Sequence, residues 1–239
     1  MVYFFQLFPD RQDAPTFPHD KINCGGKQMD EWTRPDPSRM AMLTIDIQRE
    51  FQPGGSSGRE ENARTVPAAA HLAKAFRRAA KPLIHIVRLY LPDASNADLC
   101  RRSRILSGEP LLVPGSVSSQ IAAPLLPDPS TLLDHRLLLS GGIQKIGPSE
   151  YIIYKPRFGA FFGTPLMEHL EALGVDTLAV TGSNYPNCPR ATIYEACDRD
   201  FRVIAVTDGI SLLNEAAKRE LEAIGVNCLS SAETVSLLP

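Results

Sequence analysis

No apolar run in this sequence approaches the ~20 residues that a membrane-spanning helix needs, so a bilayer partner is not expected. Nor is there an excess of one charge. Lys and Arg number 25 against 27 Asp and Glu, the formal net charge is -2, and the two signs are interspersed. No basic face for nucleic acid is therefore expected. Cys-x-x-Cys is missing as well: Cys24, Cys100, Cys188, Cys197 and Cys228 are scattered and odd in number. That pattern speaks against a disulfide framework or a zinc site and fits thiols in a reducing compartment. Met1–Phe8 is apolar but has neither a basic flank nor a small-residue cleavage site, so it is not read as a secretory leader, and the cytoplasm is the expected location. None of the five histidines is spaced from another as a metal pair requires, and no cofactor is expected. There is no Gly-x-Ser-x-Gly run, which argues against a serine α/β-hydrolase. Position 48 is Gln, so Asp46 lacks the second acid of an Asp-x-Asp phosphatase.

What is present is enough for one large domain: 239 residues, 44% of them hydrophobic. Residues 1–38 are broken by Pro9, Pro15, Pro18, Pro35 and Pro37 and by Gly25–Gly26, which forbid a long regular element. The aromatics of this stretch, Trp32 among them, argue against a free solvated tail. It reads as an extended arm that packs on the domain or on a second subunit, ahead of a catalytic domain over 39–239. From Arg39 onward, strand and helix signals alternate. Strands are expected at Met40–Ile45, Pro82–Leu89, Tyr151–Tyr154, Asp176–Thr181, Arg202–Thr207 and Val226–Leu229. Helices are expected at Pro67–Ala80, from a Thr164 cap to about Leu173, and at Pro189–Arg199, Asn214–Ile224 and Ala232–Leu237. Residues 92–150 read as mostly loop. Such alternation gives an α/β/α sandwich, a mostly parallel central sheet with helices on both faces. Ligands in such sheets bind beyond the carboxyl ends of the strands. Three polar residues fall there after apolar runs: Asp46, Lys155 and Cys188.

These residues sit in recognisable surroundings. Asp46-Ile-Gln48-Arg-Glu-Phe51 resembles the strand-end signature of isochorismatase-like hydrolases. Lys155-Pro-Arg-Phe-Gly-Ala-Phe161-Phe-Gly-Thr164-Pro-Leu166 is similar to their lysine motif, and Val180-Thr-Gly182-Ser-Asn-Tyr-Pro-Asn-Cys188 to their nucleophile loop. Each motif alone is weak, but the three occur in family order and cover roughly residues 39–235 together with their flanks. The resemblance implies the isochorismatase-like fold, an Asp46–Lys155–Cys188 triad, and an oxyanion hole from the backbone N–H groups of Asn184 and Cys188. It further implies a cis peptide between Ser183 and Asn184, and a dimer or tetramer. Phe51, Arg88, Phe158 and Tyr185 are candidates for the substrate pocket. The chain departs from the family where Tyr185-Pro186-Asn187-Cys188-Pro189 replaces the more usual Thr-Asp-x-Cys-Val. It also lacks the Asp-x-His metal motif of nicotinamidases: the matching loop, Leu91 to Asp98, holds no histidine.

The chemistry of the three residues is coherent without the family name. A thiol attacks a carbonyl as the thiolate, and a helix start beside Lys155 is expected to depress the Cys188 pKa from its free value of ~8.5. Asp46 can take the thiol proton and return it to a departing amine. The expected activity is therefore metal-independent hydrolysis of a small amide, carbamoyl or ureido C–N bond through a thioester. Vinyl ether hydrolysis on the same fold, which does not need the thiol, and a non-catalytic member of the fold are the alternatives.

Overall fold

All six residues of strand β1, Met40–Ile45, are buried, as required of a strand with neighbours on both edges and helices on both faces. Its side chains alternate between two cores. Ala41, Leu43 and Ile45 join a cluster with Leu166, Leu170, Ile193 and Leu221 on one face. Met40 and Met42 join Leu72, Phe76 and Ile204 on the other. The computed structural model describes residues 30–239, so most of the arm expected over 1–38 lies outside the described residues.

The remaining strands are β2 Leu83–Val87, β3 Ile143–Gly147, β4 Glu150–Tyr154, β5 Thr177–Gly182, β6 Arg202–Ile210 and β7 Asn227–Leu229. They form one seven-stranded sheet in the order β3-β4-β2-β1-β5-β6-β7. Every pairing is parallel except β3 with β4, which is antiparallel at the edge. The helices are α1 Glu60–Arg78, α2 Leu99–Leu106, α3 His135–Leu139, α4 Leu166–Ala172, α5 Cys188–Cys197, α6 Glu215–Ala223 and α7 Ser231–Ser236. The fold is thus the mostly parallel α/β architecture that the alternation implied. Among the described residues no helix is long and apolar enough to cross a membrane.

The differences from the sequence reading have physical causes. Helix α1 begins at Glu60, well before Pro67, which sits inside it. Proline there removes one backbone donor, but the buried face of Ala69, Leu72, Ala73 and Phe76 holds the helix on the sheet. Helix α4 starts at Leu166 with Pro165 in the capping position. The Thr164 hydroxyl donates to the Ala160 carbonyl at 2.6 Å and accepts from the Leu166 N–H at 3.3 Å, so it still serves the helix start. Strand β3 escaped notice because none of its residues is fully buried. An edge strand of that kind carries no continuous apolar run.

One polar network crosses the sheet on the α1 side. His85 of β2 hydrogen-bonds Thr44 Oγ1 through Nδ1 and Glu150 Oε1 through Nε2, both at 2.8 Å. Arg77 of α1 pairs with Glu150 at 2.7 Å. Burial, outweighing the Glu150 contact, lowers the His85 pKa from its ordinary value. The folded protein therefore keeps His85 neutral, while the unfolded chain takes up a proton near pH ~6.5. The unfolded state then binds more protons, and stability falls as pH falls through that range. The urea midpoint is expected to drop between about pH 7.5 and about pH 5.5 and to lose much of that drop in His85→Gln. Parallel pH dependences in the two proteins would contradict this assignment.

Candidate active site

The carboxyl ends of three strands bring the chemistry together. Directly after β1 the chain turns at Asp46, which adopts φ 52°, a left-handed conformation uncommon outside glycine. Its N–H is held by the Ile86 carbonyl at 2.9 Å. Lys155 follows β4, with its N–H on the Val87 carbonyl at 3.0 Å. Cys188 is the first residue of α5, reached from β5 through the loop 183–187. The strand ends approach closely: a Cβ added to Gly182 would lie 2.7 Å from the Ile45 carbonyl oxygen. Gln48 is wholly buried and clamps the neighbouring backbone. It donates to the Arg88 and Ser119 carbonyls at 2.9 and 2.6 Å and accepts from the Arg88 N–H at 2.8 Å. The lysine loop is fastened to α5 by Glu195, which accepts from the Phe161 N–H at 2.9 Å. Gly159 permits that approach, since a Cβ there would stand 2.1 Å from the same carboxylate.

Lys155 Nζ lies 2.8 Å from Asp46 Oδ2, with both side chains buried. The ammonium also donates to the Arg157 carbonyl at 3.3 Å. The other carboxylate oxygen, Oδ1, is buried without a hydrogen bond of ordinary geometry. Its neighbour with a proton to give is the Cys188 thiol, itself 6% exposed. Burial and then the Asp46 charge push the Cys188 pKa up to about 11, against the lowering effect of Lys155. The expected depression is reversed. A helix start and a nearby cation favour a thiolate, but desolvation opposes it and the lysine charge is already engaged by Asp46.

The nucleophile loop also departs from what the resemblance implied. Among the described residues no peptide bond is cis, and Asn184 makes the turn with φ 57°. Its N–H is already donated to Ser211 Oγ at 3.1 Å, because that hydroxyl, at the end of β6, faces the loop. The Cys188 N–H has no acceptor among the described residues. Of the two expected oxyanion donors, one is therefore open and one occupied.

The pocket candidates are spread over different surroundings. Phe51 lines a cleft of about 420 Å³ together with Asn184 and Asn187. Arg88 is buried behind the site, its guanidinium 2.5 Å from Asp98 Oδ2 and 3.3 Å from the Lys155 carbonyl. Phe158 is half-buried, with the guanidinium groups of Arg88 and Arg101 each 5.9 Å from its ring centroid. Tyr185 points into the hydrophobic core with its hydroxyl unpaired, and it does not line the cleft. Sequence reasoning missed Asp98, Glu195, Ser211 and the arginines of the cleft. Only the arginine-rich stretch Arg101-Arg102-Ser-Arg104 carries a local signal.

The metal motif of the nicotinamidase branch does not fit these residues. In the matching loop Asp93 accepts from Ser95, Asn96 is tied to Leu89, Leu91 and Tyr154, and Asp98 is paired with Arg88. Among the described residues no three His, Cys, Asp or Glu side chains stand together as metal ligands would.

The thiol environment gives a direct expectation. Absorbance at 240 nm, taken as the difference between the protein and its Cys188→Ala variant, should show no Cys188 thiolate at neutral pH and its appearance toward pH about 11. A thiolate already present at neutral pH would contradict the electrostatic picture.

The chain is similar in sequence and fold to known proteins. The sequence profile of the isochorismatase domain matches residues 142–233. An isochorismatase family protein from Desulfovibrio vulgaris superposes with a TM-score of 0.71 at 31% identity, covering 84% of this chain and 98% of that one. The chain is 25% identical over 211 residues to the ureidoacrylate amidohydrolase RutB of Methylobacterium radiotolerans, covering 78% of this chain and 74% of that protein. It is 27% identical over 172 residues to a probable inactive nicotinamidase of Arabidopsis thaliana, covering 70% of this chain and 78% of that protein. By its fold and its 31% identity over 84% of its length to a member, the chain belongs to the isochorismatase family of the cysteine hydrolase superfamily.

Proposed function

We propose that this protein is an amidohydrolase that cleaves a small amide, carbamoyl or ureido C–N bond with Cys188 as nucleophile, Asp46 as proton carrier and Lys155 as fixed cation. The carrying observation is the divided Asp46 carboxylate. Lys155 holds one oxygen at 2.8 Å, while the other is buried, lacks an ordinary hydrogen bond and neighbours a buried thiol. Buried polar atoms are normally satisfied, so an unfilled acceptor beside a proton donor suits proton transfer.

The thiol is neutral at rest, and in this reading its proton moves to Asp46 as the sulfur attacks the carbonyl carbon. The negative charge shifts from the carboxylate to the sulfur and on to the carbonyl oxygen, and the Lys155 ammonium stays close throughout. The Cys188 N–H receives the oxyanion, and the Asn184 N–H joins it when the substrate oxygen displaces Ser211 Oγ. Losing one such donor typically costs ~2.7–4 kcal/mol in the transition state. Asp46 then protonates the departing nitrogen, the C–N bond breaks, and an acyl thioester remains on Cys188. Water, deprotonated by Asp46, attacks the thioester, and collapse of the adduct returns the thiol and the acid. No metal enters these steps. The support for hydrolysis of a C–N bond is the amidohydrolase name of a relative together with the triad geometry.

A panel of small amides and ureides assayed for ammonia release tests this. Cys188→Ala and Asp46→Asn should each lower turnover by roughly three orders of magnitude or more, and the double variant should be little worse than Cys188→Ala alone. Lys155→Arg should keep part of the activity and Lys155→Ala very little. EDTA should leave turnover unchanged. Full activity in Cys188→Ala would instead favour a thiol-independent reaction such as vinyl ether hydrolysis, and loss in EDTA reversed by a divalent ion would sink the metal-free mechanism.

A further inference from the structure

Ser211 meets the nucleophile loop through three groups. Its N–H donates to the Gly182 carbonyl at 3.2 Å, and its carbonyl accepts from the Tyr185 N–H at 2.8 Å. Its hydroxyl oxygen accepts from the Asn184 N–H at 3.1 Å. The residue follows β6 directly, where Ile210 is in register with Gly182 of β5, and it is buried. The two backbone bonds tie the loop to the sheet and need no side chain, so the hydroxyl is not required for that attachment. Loop and nucleophile helix are hydrogen-bonded to each other in turn. The Asn184 carbonyl accepts from the Asn187 N–H at 3.0 Å, and the Tyr185 carbonyl from the Arg190 N–H of α5 at 3.1 Å. We propose that Ser211 is a positioning residue for the oxyanion hole. Its hydroxyl stands in for the substrate oxygen in the empty site and keeps the Asn184 N–H aimed until that oxygen replaces it. The proposal rests on the C–N hydrolase reading above and adds what makes the hole selective.

An N–H bonds well only to an acceptor near its own axis and close to the nitrogen. A substrate oxygen that takes the Asn184 N–H must therefore enter the space that Ser211 Oγ fills, and the two compete. The hydroxyl makes no other hydrogen bond among the described residues, so one bond is all that opposes its release. Ser183 Oγ and Asn184 Oδ1, in the same loop, are buried without partners. Buried polar groups are normally satisfied, so the loop does not complete its hydrogen bonding in the empty site. Competition of this kind selects by charge. A neutral carbonyl oxygen accepts about as well as a hydroxyl, and little is gained by the exchange. An oxyanion forms a charge-assisted bond, roughly twice as strong, and does gain. The stabilisation then falls on the transition state rather than on the bound substrate, which is the condition for raising turnover. Without the hydroxyl, bound substrate and transition state would gain equally.

Reversible addition of propionaldehyde, isotopically labelled at its carbonyl carbon and followed by NMR, measures the hole apart from hydrolysis. The Cys188 sulfur bonds to that carbon, the C=O pair passes to oxygen, and the thiol proton travels by way of Asp46 to the same oxygen, with nothing leaving. Each protein is read against its own Cys188→Ala counterpart. Ser211→Ala should bind the aldehyde tighter by about fivefold, the size of one neutral hydrogen bond no longer displaced. Ser211→Thr, which keeps the hydroxyl, should behave as wild type. Hydrogen exchange of the Asn184 amide should quicken in Ser211→Ala and slow again when the aldehyde is added. On any amide that is turned over, kcat/KM should rise in Ser211→Ala by a similar factor while kcat stays within about twofold. A merely structural serine would lose kcat instead. Unchanged or weaker aldehyde binding in Ser211→Ala, unchanged exchange at Asn184, or no Cys188 adduct in the wild-type protein overturns the proposal. Ammonia release separates the two layers. Tighter addition in Ser211→Ala with no hydrolysis of any amide would keep the placeholder and remove the hydrolase reading. Cys188-dependent hydrolysis with aldehyde binding indifferent to Ser211 would do the opposite.

Discussion

A carboxylate and an ammonium buried together at 2.8 Å constrain everything around them. Neither Asp46 nor Lys155 could be buried alone, because an unpaired ion in a protein interior costs several kcal/mol. Two elements distant in sequence, the ends of β1 and β4, must therefore close on one point. A hydrophobic pair of similar volume would typically stabilise such a site as well or better, so the ion pair is poorly explained by stability alone. Under the proposed mechanism it keeps one carboxylate oxygen unfilled beside a thiol. The left-handed turn at Asp46, the Gln48 clamp and the close approach at Gly182 all serve that placement.

The raised thiol pKa changes how the site is to be understood. A preformed thiolate would react with any electrophile that reached it, whereas in the proposed mechanism a neutral buried thiol is activated only when a bound substrate lets its proton pass to Asp46. Reactivity is then tied to occupancy.

Much of this was legible in the sequence, for identifiable reasons. Strand β1 was read correctly because a fully buried strand is a continuous apolar run, and Asp46 and Lys155 stood out as polar residues ending such runs. Edge strand β3 was not, since half-exposed positions such as Gln144 and Lys145 leave no pattern. Pro67 was read as a helix start, because its placement inside α1 depends on packing against the sheet. Ser211 and Glu195 reach the site only through contacts across long sequence separations, which no local signal records. The direction of the Cys188 pKa shift failed for a related reason. Helix position and a neighbouring lysine can be read from sequence, but the depth of burial is a property of the assembled fold.

The central claim is that Cys188, relayed through Asp46, forms a covalent acyl intermediate. Partitioning with hydroxylamine tests it most directly, on any amide from which the protein releases ammonia. An acyl thioester should divide between water and hydroxylamine, giving a hydroxamate in proportion to the added nucleophile, with both products lost in the Cys188→Ala variant. Ammonia release that yields no hydroxamate at any hydroxylamine concentration, and that persists without the thiol, would contradict the account.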